Sequence, residues 1–167
     1  RYAPRQEVYS IDESFLDFSG VQADLAGVGK QLRAAVLRET GLPTSVGFGP
    51  TKTLAKLANH VAKTADRKPG AFPGLAPGRI EQVCDFGSLS QAELDRVYAH
   101  TEVGAVWGVG RKIAGRLSEG GIRTVLVTGL SYRLRAAGSR LRAGAGRRID
   151  VQVQSVAHLP RKALRSA

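Results

Sequence analysis

From Glu7 to Phe18 two short runs rich in aromatic and β-branched side chains flank an Asp12-Glu13 pair. Apolar runs around a polar bend predict strand, acidic turn, strand. Between Asp24 and Thr40 the apolar period lengthens. Leu25, Val28, Leu32, Ala35 and Val36 recur at close to helical spacing, which predicts an amphipathic helix in spite of Gly27 and Gly29, stopped by Gly41 and Pro43. Thr44 to Gly49 reads as a short strand, and Thr51 to Lys63, with Leu54, Ala55, Leu57, Ala58 and Val61, as a second amphipathic helix.

Residues 66–78 then gather Pro69, Gly70, Pro73, Gly74, Pro77 and Gly78, a composition that predicts an irregular connection and a domain boundary. Beyond it, Ser90 with Glu93 three residues on forms a capping-box pattern for a short helix through Tyr98. Val106 to Lys112 reads hydrophobic-Gly-hydrophobic-Gly followed by two cations, leading into a helix that ends near Glu119 at the Gly120-Gly121 break. After Leu126 the amphipathic order decays into Arg, Ala, Gly and Ser. The pattern therefore predicts an α+β fold in three stretches. Residues 1–78 carry strand hairpin, helix, strand, helix; residues 79–126 form a small helical region around a glycine hairpin; residues 127–167 are an irregular or disordered basic tail.

Composition narrows the class. The 167 residues are 43% hydrophobic and 23% charged, as in a soluble globular protein. No 18-residue apolar run and no charged-then-apolar leader occurs, so the expectation is a cytoplasmic protein without a membrane span. One cysteine, Cys84, excludes an internal disulfide and a zinc site of several thiolates. Methionine is absent and residue 1 is arginine, so the chain is read as part of a longer reading frame. Charge is uneven: nine Lys and Arg against one Asp lie in residues 127–167, giving that stretch +8 of the total +11. Such an excess favours polyanions, nucleic acid first, or is a solvated tail.

Three local patterns carry candidate chemistry. Adjacent carboxylates in a tight turn repel each other, and a divalent cation offsets that repulsion. Mg²⁺ suits such a pair, because it takes one or two carboxylates together with phosphate oxygens and water; a solvated turn is the plainer alternative. Gly47-Phe48-Gly49-Pro50-Thr51-Lys52-Thr53 brings glycines onto a helix N-terminus, where free N–H groups favour an anion, with Lys52 and Lys56 on one helical face. The spacing is not that of a Walker loop, and a simple cap with two solvated lysines fits equally well. Finally, Gly108 and Gly110, followed by Arg111 and Lys112, look like a helix-hairpin-helix that offers backbone N–H groups and cations to a nucleic acid backbone. Trp107 beside them reads as a packing residue before a base-stacking one.

These residues together resemble the Y-family lesion-bypass DNA polymerases, on the UmuC side of that family. The resemblance lies in Tyr9 to Asp17 (Tyr-Ser-Ile-Asp-Glu-Ser-Phe-Leu-Asp), Ser45 to His60, Val106 to Lys112 and Gly121 to Leu126, in that order over about 120 residues. It implies that residues 1–78 are part of a palm and residues 79–126 a thumb-like helix-hairpin-helix. It also implies that Asp12 and Glu13 ligate Mg²⁺, that Lys56 and less directly Lys52 meet the incoming triphosphate, and that Gly108, Gly110, Arg111 and Lys112 hold DNA. The implied substrates are a DNA primer-template and a dNTP, used in error-prone synthesis past damaged bases in DNA repair and the SOS response. The implied partners are a UmuD-like subunit, a recombinase filament and a sliding clamp.

The departures from the family are equally specific. Such polymerases carry a further metal-binding aspartate on a first palm strand, upstream of the position of Arg1, and a little-finger domain downstream. Without that strand the remaining ones are expected to expose an edge and a face of the palm core, so weak or no polymerase activity is expected of this chain alone. Beyond Leu126 the Arg-Ala-Gly-Ser text suits a shifted reading frame, which would make the basic tail incidental. The alternative reading is a non-catalytic DNA-binding module in which only the hairpin and tail act. A metal nuclease ranks below both, because it leaves the lysine-bearing helix unexplained.

Overall fold

The computed structural model describes residues 3–21, 23–127 and 150–155. Its elements are β1 (Arg5–Val8), β2 (Glu13–Asp17), α1 (Leu25–Thr40), β3 (Thr44–Gly49), α2 (Lys52–Arg67), β4 (Val83–Asp85), α3 (Gln91–Ala99), α4 (Arg111–Glu119) and β5 (Asp150–Ser155), with 3₁₀ turns at Val103–Ala105 and Val125–Val127. The expected hairpin, both helices and the strand between them are present. Gly41 ends α1 in a left-handed conformation with φ 72°, and its N–H bonds the Leu37 carbonyl, so the stop predicted from the sequence is a glycine C-cap. Helix α2 runs four residues beyond the expected Lys63, to Arg67.

The strands form one sheet in the order β1-β2-β5-β3-β4. Only β3 and β4 are parallel; every other neighbouring pair is antiparallel. The order is compatible with a partial palm. Two elements depart from the sequence expectation. Val83–Asp85, where the sequence pattern predicts no element, is a short edge strand on β3.

The larger correction concerns the tail. The expectation of irregular structure over residues 127–167 fails at Asp150–Ser155, which forms β5 in the middle of the sheet, paired with β2 on one side and β3 on the other. The physical reason is a period of two, Asp-Val-Gln-Val-Gln-Ser, short enough to be masked by the arginine-rich text before it. Val151 and Val153 join the apolar cluster on one face of the sheet. The facing edges of β2 and β3 are therefore paired, not open as expected. Residues 128–149 and 156–167 of that stretch lie outside the described residues.

The sheet is covered on both faces. Leu32 of α1 packs with Leu16, Val46, Phe48, Val83 and Val151 in one cluster. On the other face Leu54, Leu57, Ala58 and Val61 of α2 join Phe86, Leu94, Val97 and Tyr98 in a second, larger one. That second core continues from α2 through Phe72, Ile80 and Cys84 into α3, so packing is unbroken across residue 78. Among the described residues no helix is long and apolar enough to cross a membrane.

Candidate functional site

The turn between β1 and β2 is closed by its own backbone: the N–H groups of Tyr9 and Ser10 both donate to the Glu13 carbonyl, at 3.0 and 3.1 Å. This presents Asp12 at the bend and starts β2 at Glu13. Ser10 Oγ donates to Asp12 Oδ1 at 2.8 Å. That bond, helped by the Gln154 amide and the Lys63 charge and opposed by partial burial, holds the Asp12 carboxyl below the ordinary carboxylate range. Gln154 Nε2 lies 3.4 Å from Asp12 Oδ2. The Glu13 side chain is only 11% exposed and pairs with Lys56 Nζ at 2.5 Å.

Helix α2 supplies the opposing cations in a row. Lys52 bonds Glu7, Lys56 bonds Glu13, and Lys63 Nζ donates to Gln154 Oε1 at 2.7 Å. Burial depresses the Lys63 ammonium, as does nearby Arg67, and the carboxylates of Glu13 and Asp12 partly restore it. Lys63 escaped the sequence reading, although it follows Lys56 by seven residues, two helical turns, and so lies on the same face. Gln154 escaped it too, because nothing in the sequence places β5 opposite Glu13.

What fixes the row in place is the close approach of α2 to the sheet. A Cβ added at Gly47 would lie 2.1 Å from the Asn59 nitrogen, and one at Gly49 2.6 Å from the Ala55 nitrogen. These glycines belong to β3 and admit the helix backbone, a packing reason for glycine at both positions. Buried Asn59 ties the layers, donating to the carbonyls of Ser45 (2.9 Å) and Gln152 (3.1 Å) and accepting from Ser45 Oγ (3.0 Å). Thr51 caps α2 through the Leu54 N–H.

The glycine hairpin lies next to the acidic turn. Gly108 has φ 92°, a conformation that favours glycine, and Gly110 is the N-cap of α4 with no side-chain cap bond. The N–H groups of Arg111 and Lys112 thus begin α4 without intrahelical partners, and both side chains are exposed. Trp107 reaches across to the hairpin of the sheet. Its ring stacks on Phe15 (centroids 5.9 Å apart, planes at 27°) and meets Tyr9 edge-on (5.5 Å, 84°). Asp12, Glu13, Lys52, Lys56 and the Trp107 hairpin are therefore neighbours, whereas Arg111 and Lys112 make no described contact with the acidic turn.

A cavity of about 560 Å³ opens beside the turn, lined by Ser10, Asp12 and Glu13 and by Leu32 and Val36 of α1. Among the described residues no three His, Cys, Asp or Glu side chains cluster as a metal cage. The donor set is instead two carboxylate oxygens, one held ionised, with cations close by. That set fits a hard divalent cation whose shell is completed by phosphate and water, and does not fit a closed protein-only site.

Comparison with known proteins supplies the class. The impB/mucB/samB family profile matches residues 1–60, and over 74% of its length the chain is similar to UmuC-like proteins of the Y-family. It is 42% identical over 125 residues to Protein UmuC of Salmonella typhimurium, covering 74% of this chain and 26% of that protein. It is 41% identical over 126 residues to Protein MucB of Escherichia coli, with 74% and 27% covered. DNA polymerase IV 2 of Mesorhizobium japonicum is 35% identical over 128 residues, with 74% and 26% covered. The chain thus spans about a quarter of the length of these relatives. No solved structure matches it.

Proposed function

We propose that this chain carries part of the nucleotidyl-transfer site of an error-prone translesion DNA polymerase, one that acts in DNA repair and the SOS response on a primer-template and dNTPs. The observation that supports this most is the Lys56–Glu13 ion pair at the acidic turn, with Lys63 near enough to feel the Asp12 and Glu13 charges and Lys52 on Glu7 of the adjoining strand. Asp12 and Glu13 would hold Mg²⁺, which when bound neutralises charge on the attacking and leaving oxygens of an in-line displacement at the α-phosphate. The chain's own groups do the rest. Ser10 orients Asp12 and keeps it ionised, and the ammonium groups of Lys56, Lys52 and Lys63 meet the negative charge of the triphosphate. The Lys56–Glu13 ion pair satisfies both groups while no substrate is present. Gly108 and Gly110, with Arg111 and Lys112, are proposed to grip DNA backbone. The UmuD-like subunit, recombinase filament and sliding clamp are proposed by resemblance alone.

Primer extension with Mg²⁺ and dNTPs tests this reading. The chain alone is expected to extend weakly or not at all, and Asp12→Asn to remove any extension it supports; robust extension that survives Asp12→Asn overturns the metal assignment. A second reading, a non-catalytic DNA-binding module, is favoured by α4, which buries none of its residues and leaves Arg111 and Lys112 exposed at its start. It predicts Mg²⁺-independent, strongly salt-dependent DNA binding that responds to changes at Gly108 and Gly110 and is indifferent to Asp12 and Glu13.

A further inference from the structure

Trp107 stands at the tip of the glycine hairpin, 38% exposed, while its neighbour Val106 is buried in the core behind it. The ring does not turn back onto its own segment; it lies across β2 on Phe15 and against Tyr9. At the corner made by the Tyr9 and Trp107 rings sits a charged group. Lys56 Nζ is 4.9 Å from the Tyr9 centroid and 5.8 Å from that of Trp107, while it also bonds the Glu13 carboxylate. Both distances lie within reach of cation–π attraction. Among the described residues Lys52 has a single ring beneath it, Phe15 at 5.4 Å, and the two-walled arrangement is found at Lys56.

We infer that Trp107 and Tyr9 form an aromatic cage that positions the Lys56 ammonium at the acidic turn and ties the glycine hairpin to it. Trp107 is a positioning residue: it acts through Lys56 and touches no reacting atom. A lysine side chain loses much rotamer freedom when it is fixed on a ligand, and a cage that holds the ammonium beforehand removes part of that cost from anion binding. This rests on the proposed triphosphate role of Lys56, but the cage exists without any nucleotide.

The single tryptophan makes the cage observable in the intact chain. In the nucleotide-free protein, Lys56→Met is expected to shift the Trp107 fluorescence emission, whereas Lys56→Arg keeps it near wild type and Lys112→Met leaves it unchanged. In a double-mutant cycle of Lys56→Met with Trp107→Leu, read by urea unfolding, the unfolding equilibrium constants should depart from additivity about two- to fivefold. Trp107→Phe should preserve most of that coupling. Calorimetry with Mg²⁺ and dATP should show Trp107→Leu binding about two- to fivefold more weakly, with Trp107→Phe restoring affinity. Additive unfolding together with an emission indifferent to Lys56→Met overturns the cage, whatever the nucleotide does. Absent dATP binding alongside an intact emission shift and coupling overturns the polymerase reading and upholds the cage.

Discussion

Asp12 is an exposed carboxylate whose charge is favoured first of all by one neighbour. The Ser10 hydroxyl donates to it at 2.8 Å and is the largest cause of its lowered pKa. In Ser10→Ala the Asp12 pKa should therefore rise toward the ordinary 3.8, as carbon-detected NMR titration of the carboxyl would show. The sign of the linkage follows. A depressed carboxylate contributes stability above its unfolded pKa and loses it as pH falls through the folded value. Ser10→Ala should accordingly be slightly less stable than the wild type at neutral pH and show a shallower acid limb, the two proteins converging below the folded pKa. Lys56 and Glu13 obey a different logic, because their charges satisfy each other in a largely covered position. Glu13→Gln should free the Lys56 ammonium and weaken Mg²⁺ binding together.

The elements that hold these residues depend on two glycines and an asparagine. Since a Cβ at Gly47 would meet backbone nitrogen and oxygen of α2 at 2.1 and 2.3 Å, Gly47→Ala must push the helix from the sheet. The expected loss is about 3 kcal/mol, at or beyond the upper end for overpacking, measurable by urea unfolding. Gly110→Ala meets nothing within 4 Å and has negative φ, so it should leave stability nearly unchanged. The contrast shows what the sequence could and could not reveal. Hairpin, α1, β3 and α2 were legible because their apolar periods are regular and their stops are Gly and Pro. The packing role of Gly47 and Gly49 was not legible, because a glycine that admits a helix and one that cradles an anion look alike until the strand is set against α2. β4 is three residues long and follows a Pro- and Gly-rich stretch, too short for a period to register. The acidic pair and two of the three lysines were legible from spacing, whereas Lys63 and Gln154 became visible only once α2 and β5 were set beside the turn.

At the scale of the molecule, a five-stranded sheet is closed at its centre by a strand that comes from far along the chain. β5 is not a fully satisfied fit. Gln152 is completely buried, and among the described residues neither its amide nitrogen nor its oxygen has a hydrogen-bond partner. Burying unpartnered polar atoms costs about 1–3 kcal/mol by mutational measure, and valine suits a central strand. Gln152→Val should raise unfolding stability by about that amount in urea denaturation; a loss of stability would mean that the amide is satisfied in solution. The same strand brings Gln154 to Asp12 and Lys63, so sheet assembly and the candidate site are coupled. Loosening β5 should disturb Asp12 before it disturbs the hairpin at Gly108.

The central claim is that the Asp12-Glu13 turn and the lysine row of α2 form one site for Mg²⁺ and a nucleoside triphosphate. Isothermal calorimetry of dATP with and without Mg²⁺, on the wild type and on Asp12→Asn, tests it most directly. Binding that requires Mg²⁺ and weakens about tenfold or more in Asp12→Asn, with stability at neutral pH retained, is the predicted result. Equal dATP affinity in the two proteins, or binding indifferent to Mg²⁺, would contradict it.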